Sequence, residues 1–262
     1  MHQPRKRFGQ HFLHDNNIID RIIRAIDPQE NDRLLEIGPG RGALTFPLLD
    51  KCKRLTAIEL DRDLLPLLRR QAAEAGELEV INADILKFDL GSLGGSKPLR
   101  VVGNLPYNIS TPLMFHLLDS ISLIQDMHFM VQKEVAQRIV ANPGNRDYGR
   151  LSVMIQYYCE CQYLFDVAPG SFTPPPRVDS AVIRMTPHSE PVANIGDFQL
   201  FSEIVQTAFS QRRKTIANSL KSIVATETIQ TAGIDSRNRA ENLSLRDYAS
   251  LTQAVIKLKQ ND

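Results

Sequence analysis

Tryptophan is absent from these 262 residues, only three are cysteine, and acidic and basic side chains nearly cancel to a net charge of +1. Three cysteines, Cys52, Cys159 and Cys161, cannot build a disulfide framework, and no signal-peptide pattern precedes them, so a reduced, cytoplasmic protein is expected. Cys159-x-Cys161 has no second ligand pair at zinc spacing, which leaves core packing and no metal. No apolar stretch approaches the length of a bilayer span, so no membrane partner is expected. The near-zero net charge shifts attention to local patches. MHQPRKRFGQHFL carries Arg5, Lys6 and Arg7 with two histidines and no acid, and SQRRKTIANSLK carries Arg212, Arg213 and Lys214. Two basic patches on a neutral background can meet phosphates, with a pair of solvated charge runs as the plainer alternative.

What is present is an ordinary globular content, 42% apolar and 23% charged, enough for a sizeable core. Strand and helix patterns alternate. DNNIIDRIIRAID offers Asp15 as an N-cap and isoleucines at helical spacing, closed by Pro28. RLLEIG, RLTAIEL, LEVINADI, LRVVGN and MHFMVQ read as strands, most of them followed by a helical run. Ser110 or Thr111 can cap the helix that runs through PLMFHLLD. LSVMIQYY, CQYLFDV and SAVIRMTP add a helix and two closing strands. This alternation predicts an α/β fold with a mostly parallel, doubly wound sheet. The composition breaks at TPHSEPVANIGD, beyond which only helical signals follow, so two domains are expected: 1-187, Rossmann-like with a basic N-terminal arm, and 188-262, small and all-helical.

GPGRGA, between the first sheet strand and its helix, satisfies the dinucleotide pattern G-x-G-x-x-G/A, in which Gly38 and Gly40 let a ligand approach the backbone. Glu59 ends the next strand, 21 residues after Gly38, where a carboxylate can accept both hydroxyls of an adenosine ribose. NAD and S-adenosylmethionine share that ribose. Glu36 and Asp84 tip the balance, because a carboxylate at each of three successive strand ends suits a cationic, amino-acid-bearing cofactor better than a pyrophosphate. Glu36 would lie near a bound amino group, and Asp84 is placed to accept from an adenine amine. A helix or turn cap is the structural alternative for Glu59 and Asp84.

VVGNLPYNIS closes the fourth strand with an unusual chemistry. An adenine amine is a poor nucleophile because its lone pair is delocalised into the ring. Acceptors that take its two hydrogens draw it toward tetrahedral geometry and localise that pair. The Asn104 side-chain oxygen is one such acceptor, and a backbone carbonyl of Leu105 or Pro106 is the second. Pro106 holds Leu105 extended and supplies no competing N–H. Tyr107 offers a ring face for a flipped-out base.

GQHFL, EIGPGRGAL, IELD, NADIL, NLPYNIST, KEVAQR and FTPPPRVDSAV together resemble the ribosomal RNA adenine dimethyltransferase family over nearly the whole chain. The resemblance is greatest to its bacterial branch, which makes two adjacent N6,N6-dimethyladenosines near the 3′ end of 16S rRNA in the small subunit. It implies a Rossmann-like S-adenosylmethionine-dependent methyltransferase domain followed by a small helical one, and a monomer with a role in small-subunit biogenesis. It further implies that His11, Leu13, Gly38, Glu59 with Leu60, Asp84 with Ile85, and Asn104 line the cofactor site. Many members carry asparagine where this chain has His11; a backbone contact there would survive the exchange. Phe172 in SFTPPPRVDS is the family's second aromatic near the target base, opposing Tyr107, although a Phe before three prolines reads by itself as a packed loop anchor. Arg212, Arg213 and Lys214 become rRNA contacts by the same resemblance. A DNA adenine methyltransferase with a related tetrad, a large-subunit RNA methyltransferase, a binding-only assembly factor and an NAD-dependent oxidoreductase are the competing readings.

Overall fold

The computed structural model describes residues 10–73 and 75–261. The basic stretch Arg5, Lys6 and Arg7 lies outside the described residues. In chain order the strands are β1 (Phe12–Leu13), β2 (Leu34–Ile37), β3 (Arg54–Glu59), β4 (Glu77–Asn82), β5 (Leu99–Asn104), β6 (Ile124–Gln132), β7 (Cys159–Val167), β8 (Phe172–Thr173) and β9 (Ser180–Pro187). The helices are α1 (Asn16–Ile26), α2 (Thr45–Cys52), α3 (Leu65–Ala72), α4 (Ser110–Leu118), α5 (Lys133–Val140), α6 (Arg150–Tyr158), α7 (Phe198–Ser210), α8 (Ile216–Leu220), α9 (Thr226–Thr231) and α10 (Leu245–Asn261).

Local chemistry sets the first helix. The Asp15 carboxylate accepts from the backbone N–H of Asn17 and Ile18 at 3.0 and 3.4 Å, satisfying donors that no turn of helix can reach. Ile19, Ile22, Ile23 and Ile26 then fall on one buried face, each contributing about 1.5–3 kcal/mol relative to exposure. The helix stops at Asp27, which is left-handed with φ 48°, just before Pro28. At α4 the expected side-chain cap is replaced by another arrangement. Ser110 is the first residue of the helix, no side chain caps it, and the Ser110 hydroxyl instead donates to the Tyr107 carbonyl at 3.2 Å.

Seven strands form one sheet in the order β4-β3-β2-β5-β6-β9-β7. Neighbours from β4 through β6 are parallel, whereas β6 and β9 are antiparallel. The chain leaves β2 toward β3 and β4 on one side, then returns to lay β5 and β6 on the other. That reversal opens a crevice at the carboxyl ends of β2 and β5, where open α/β sheets hold their ligands. Gly103 belongs to this junction, because a Cβ there would lie 2.6 Å from the Ile37 carbonyl oxygen. A separate two-stranded sheet, which no sequence pattern announces, pairs β1 with β8 and sets Leu13 opposite Phe172.

The chain divides into two compact units. One holds the described residues up to Ala136 together with Cys161–Pro187, and the other holds Gln137–Glu160 and the described residues from His188 onward. The sequence expectation placed 137–160 in the first domain, and this is a correction. Its cause is aromatic packing over long sequence separations within the second unit. Tyr157 of α6 meets the rings of Phe198 and Phe201 of α7, at 6.2 and 5.4 Å between centroids, and Tyr148 meets Phe209 at 6.1 Å. Nothing in the local composition of α6 marks that allegiance. Among the described residues no helix is long and apolar enough to cross a membrane, and no group of three or more His, Cys, Asp or Glu could hold a metal ion.

Candidate active site

A cavity of about 360 Å³ lies at the crevice in the first unit, and its walls come from the end of every strand from β2 to β5 and from the segment around β1. Among its lining residues are Glu36, Gly38 and Gly40 after β2, Glu59 and Leu60 after β3, Asp84 and Ile85 after β4, and Asn104, Leu105, Pro106 and Tyr107 after β5. His11 and Leu13 complete it from the N-terminal side. Residues read separately from four strand ends therefore share one space.

Glu36 is 2% exposed and accepts a hydrogen bond from the Thr45 hydroxyl at 2.6 Å. Burial, reinforced by the nearby Glu59 carboxylate, pushes its acid up to about 8 despite that hydrogen bond. Glu59 takes the N–H of Asp61 on one oxygen at 2.8 Å and the N–H of Gly40 on the other at 3.1 Å. Burial raises its acid as well, opposed by these backbone hydrogen bonds. Each oxygen keeps a second lone pair for a ligand hydroxyl. Gly40 makes this possible at φ +59°, in the left-handed region; a Cβ there would press to 3.2 Å from the Phe12 ring.

Asp84 combines the two readings offered for it. One oxygen caps the short turn Ile85–Lys87 by accepting from Leu86 N–H at 3.1 Å. The other has no hydrogen bond among the described residues, while the side chain lines the cavity.

The Asn104 amide is pinned. Its Nδ2 donates to the His11 carbonyl at 3.1 Å, which leaves Oδ1 as the free acceptor. The contact uses the His11 backbone, so an asparagine at that position would preserve it. Of the two carbonyls considered as a partner, that of Pro106 accepts the Ile109 N–H at 3.1 Å, whereas that of Leu105 accepts none among the described residues. The Tyr107 hydroxyl lies 2.7 Å from Ser180 Oγ, and burial keeps the phenol protonated by raising its pKa above the ordinary range.

One expected residue stands elsewhere, and another is partly committed. Phe172, expected to face Tyr107, is 2% exposed and packs in a core cluster with Leu13, Ile19 and Val182, behind the residues that line the cavity and not among them. Pairing of β8 with β1 draws the ring inward. The ring stacked on Tyr107 is that of His11, at 5.5 Å between centroids and 28° between planes. Arg212 is committed in part to its own unit, donating to the carbonyls of Arg146 and Tyr148 and pairing with Glu241 at 3.4 Å. Arg213 and Lys214 are exposed. The sequence reading missed Phe12 and Arg41, whose guanidinium sits 4.4 Å above the Phe12 ring, both at the cavity wall. The signal available was the aromatic beside His11 and the one long cation inside GPGRG.

Comparisons with known proteins agree with this geometry. The sequence profile for ribosomal RNA adenine dimethylase matches residues 1–257. The chain is 54% identical to ribosomal RNA small subunit methyltransferase A of Nitrosococcus oceani, over 98% of this chain and 97% of that one. It is 52% identical to the protein of the same name from Pseudomonas aeruginosa, over 99% and 97%. Among solved structures it resembles a dimethyladenosine transferase from Plasmodium falciparum, with TM-score 0.78 and 26% identity over 92% of this chain and 96% of that one. It also resembles the 23S rRNA methyltransferase ErmE, with TM-score 0.75 and 26% identity over 94% and 99%. A profile match over nearly the whole length, with relatives more than half identical, places the chain in the ribosomal RNA adenine dimethylase family, as an rRNA adenine methyltransferase.

Proposed function

We propose that this protein uses S-adenosylmethionine to dimethylate N6 of two adjacent adenosines near the 3′ end of 16S rRNA, acting as a cytoplasmic monomer on the small ribosomal subunit or its precursor. The observation that carries this reading is the convergence of Asn104, held by His11, with three strand-end acids in one cavity. The relatives from Nitrosococcus oceani and Pseudomonas aeruginosa bear the name of a small-subunit methyltransferase, which supports the choice of substrate.

The donor set fits a cationic nucleoside. Glu59 and Asp84 would hold the ribose hydroxyls and the adenine amine, Leu60 and Ile85 would pack on the base, and the Gly40 backbone leaves room beside Phe12. Glu36 would face the amino-acid end, where a buried acid favours an ammonium and repels a phosphate. When bound, S-adenosylmethionine supplies a methyl carbon on a positively charged sulfur, which departs as a neutral thioether. Asn104 Oδ1 and the Leu105 carbonyl would accept the two hydrogens of the target amine and aim its lone pair at that carbon. Neither acceptor titrates, so no general base is needed before the N–C bond forms, and the proton of the product leaves afterward. Tyr107 would carry the base on its ring face. Arg213 and Lys214, with Arg5, Lys6 and Arg7, would meet rRNA phosphates, and Arg212 would add charge while bracing its own loop.

The test is to incubate the protein with labelled cofactor and unmethylated small subunits, digest the RNA and identify nucleosides by mass spectrometry. Label in N6,N6-dimethyladenosine of the small-subunit RNA is expected. Label on large-subunit RNA or duplex DNA, or none on RNA, overturns the reading.

A pH dependence follows from Glu36. In the ligand-free protein its acid at about 8 leaves it mostly protonated at neutral pH, and an ammonium beside it would favour the carboxylate. Cofactor binding should therefore release a proton below about pH 8, and affinity should rise with pH through that window. The cofactor's own amine titrates nearby, so the ratio of wild-type to Glu36→Gln association constants is the measure. Between pH 7 and pH 8 that ratio should rise about fivefold, as the ionised fraction of Glu36 grows. Calorimetry in buffers of different ionisation enthalpy counts the protons directly. A ratio flat with pH refutes the role.

A further inference from the structure

The Tyr107 ring is held from several directions by residues outside the Asn-Leu-Pro-Tyr tetrad. Its hydroxyl meets Ser180 Oγ at 2.7 Å. Ser180 is 0% exposed and begins β9, the antiparallel strand, opposite Gln132 of β6, so its hydroxyl is carried by a strand of the main sheet. The Tyr107 carbonyl takes the Ser110 hydroxyl at 3.2 Å. The His11 imidazole lies against one face of the ring, and that imidazole is fixed in turn, donating from Nδ1 to the Pro174 carbonyl at 2.8 Å.

We propose that Ser180 is a positioning residue for the target base: by anchoring the Tyr107 hydroxyl it fixes where the ring stands, while His11 stacked on one face sets its plane and the other face is left for the adenine. This rests on the functional reading above. A tyrosine side chain has two rotatable bonds: the hydrogen bond at its far end restrains the first, which swings the ring, and the His11 face limits rotation about the ring's own axis. Without that anchor each incoming base must order the ring as well as itself, and the amine meets Asn104 less often in line for attack. Phe172, which could have sandwiched the base from the far side, is buried in the core, so the orientation of one ring carries the alignment.

Subunit binding is spread over many contacts, whereas base alignment follows binding, so the effect belongs in kcat. Ser180→Ala should lower kcat for dimethylation of small subunits about five- to tenfold, the range of one hydrogen bond, with KM for the subunit within about twofold. Tyr107→Phe removes the same hydrogen bond from the other side and should match it. The double variant should be no slower than the slower single one, and Ser180→Thr should recover activity. Cofactor affinity by calorimetry should stay at the wild-type value throughout. Wild-type kcat in Ser180→Ala or in Tyr107→Phe, or losses that multiply in the double variant, would overturn the proposal. So would a Ser180→Ala protein whose loss of activity tracks a lowered melting temperature and lost cofactor binding. A wild-type protein that makes no N6,N6-dimethyladenosine would sink the functional reading instead, and the two failures are thereby separable.

Discussion

Asn104→Ala should lower methyl transfer to small subunits by about 10²–10³-fold, the cost of losing one fixed partner aimed at a reacting centre. The size of the effect comes from preorganisation. In the resting protein the Asn104 amide is already turned, because Nδ2 spends a hydrogen bond on the His11 carbonyl and leaves Oδ1 free. A solvent acceptor would have to be ordered anew in each turnover. Alanine removes both the acceptor and the donor, and leaves the His11 carbonyl without that partner.

Asn104→Asp should fare little better, since a carboxylate has no N–H for the His11 carbonyl and two oxygens would face each other. Cofactor affinity of Asn104→Ala should change by only a few fold, because Glu36, Glu59 and Asp84 stand on other strands. Single-turnover transfer of labelled methyl, with calorimetry on the same preparations, separates these quantities. Undiminished transfer would remove Asn104 from the reaction. Transfer lost only in proportion to cofactor affinity would reassign it to holding the cofactor.

The elements of this site were legible because their signals are local. A glycine turn after an apolar run, an acid at the end of the next strand and an amide before proline all read within a few residues, and topology brings their ends together. Asp15 as a cap is of the same kind. Phe172 is the opposite case. Whether a ring before three prolines faces a cavity or the core depends on its pairing with Leu13, far back in the chain, and no periodicity encodes that. The allegiance of 137–160 was hidden likewise, since Tyr157 meets Phe198 and Phe201 only once the second unit is folded. Arg212 read as a free cation because its sequence neighbours are cations. Its partners, the Arg146 and Tyr148 carbonyls and Glu241, come from distant stretches.

Arg100 was the least legible of all, read as the second residue of the strand LRVVGN, and it carries the second large effect. Its side chain is 8% exposed, yet the surroundings occupy the whole guanidinium. Nε donates to Asp126 at 3.0 and 3.2 Å and Nη2 to the same carboxylate at 2.9 Å, while Nη1 reaches Asp32 at 2.5 Å. Nη2 and Nη1 also donate to the Ile26 and Asp27 carbonyls at 2.6 and 3.3 Å, closing the end of α1 where no further helical N–H exists. Beside them His128 is pushed by burial down to about 4, so at neutral pH it brings no compensating charge.

Arg100→Met should therefore leave the buried Asp126 carboxylate with the Arg184 guanidinium, 3.9 Å away, as its only cation among the described residues, and cost about 3–5 kcal/mol of stability, seen as a thermal midpoint lowered by roughly 10 °C. Arg100→Met combined with Asp126→Leu should recover part of that loss, because it removes the most deeply buried charge while the more exposed Asp32 and the carbonyls at the end of α1 still lose their partner. Arg100 stands four residues before Asn104 on β5, about 13 Å along the strand, at the end of the sheet opposite the cavity. Well below its melting temperature the single variant should accordingly bind cofactor with wild-type affinity. A variant that kept its stability would show that the network contributes little net energy, and one that lost affinity while fully folded would show that the two ends of β5 are coupled.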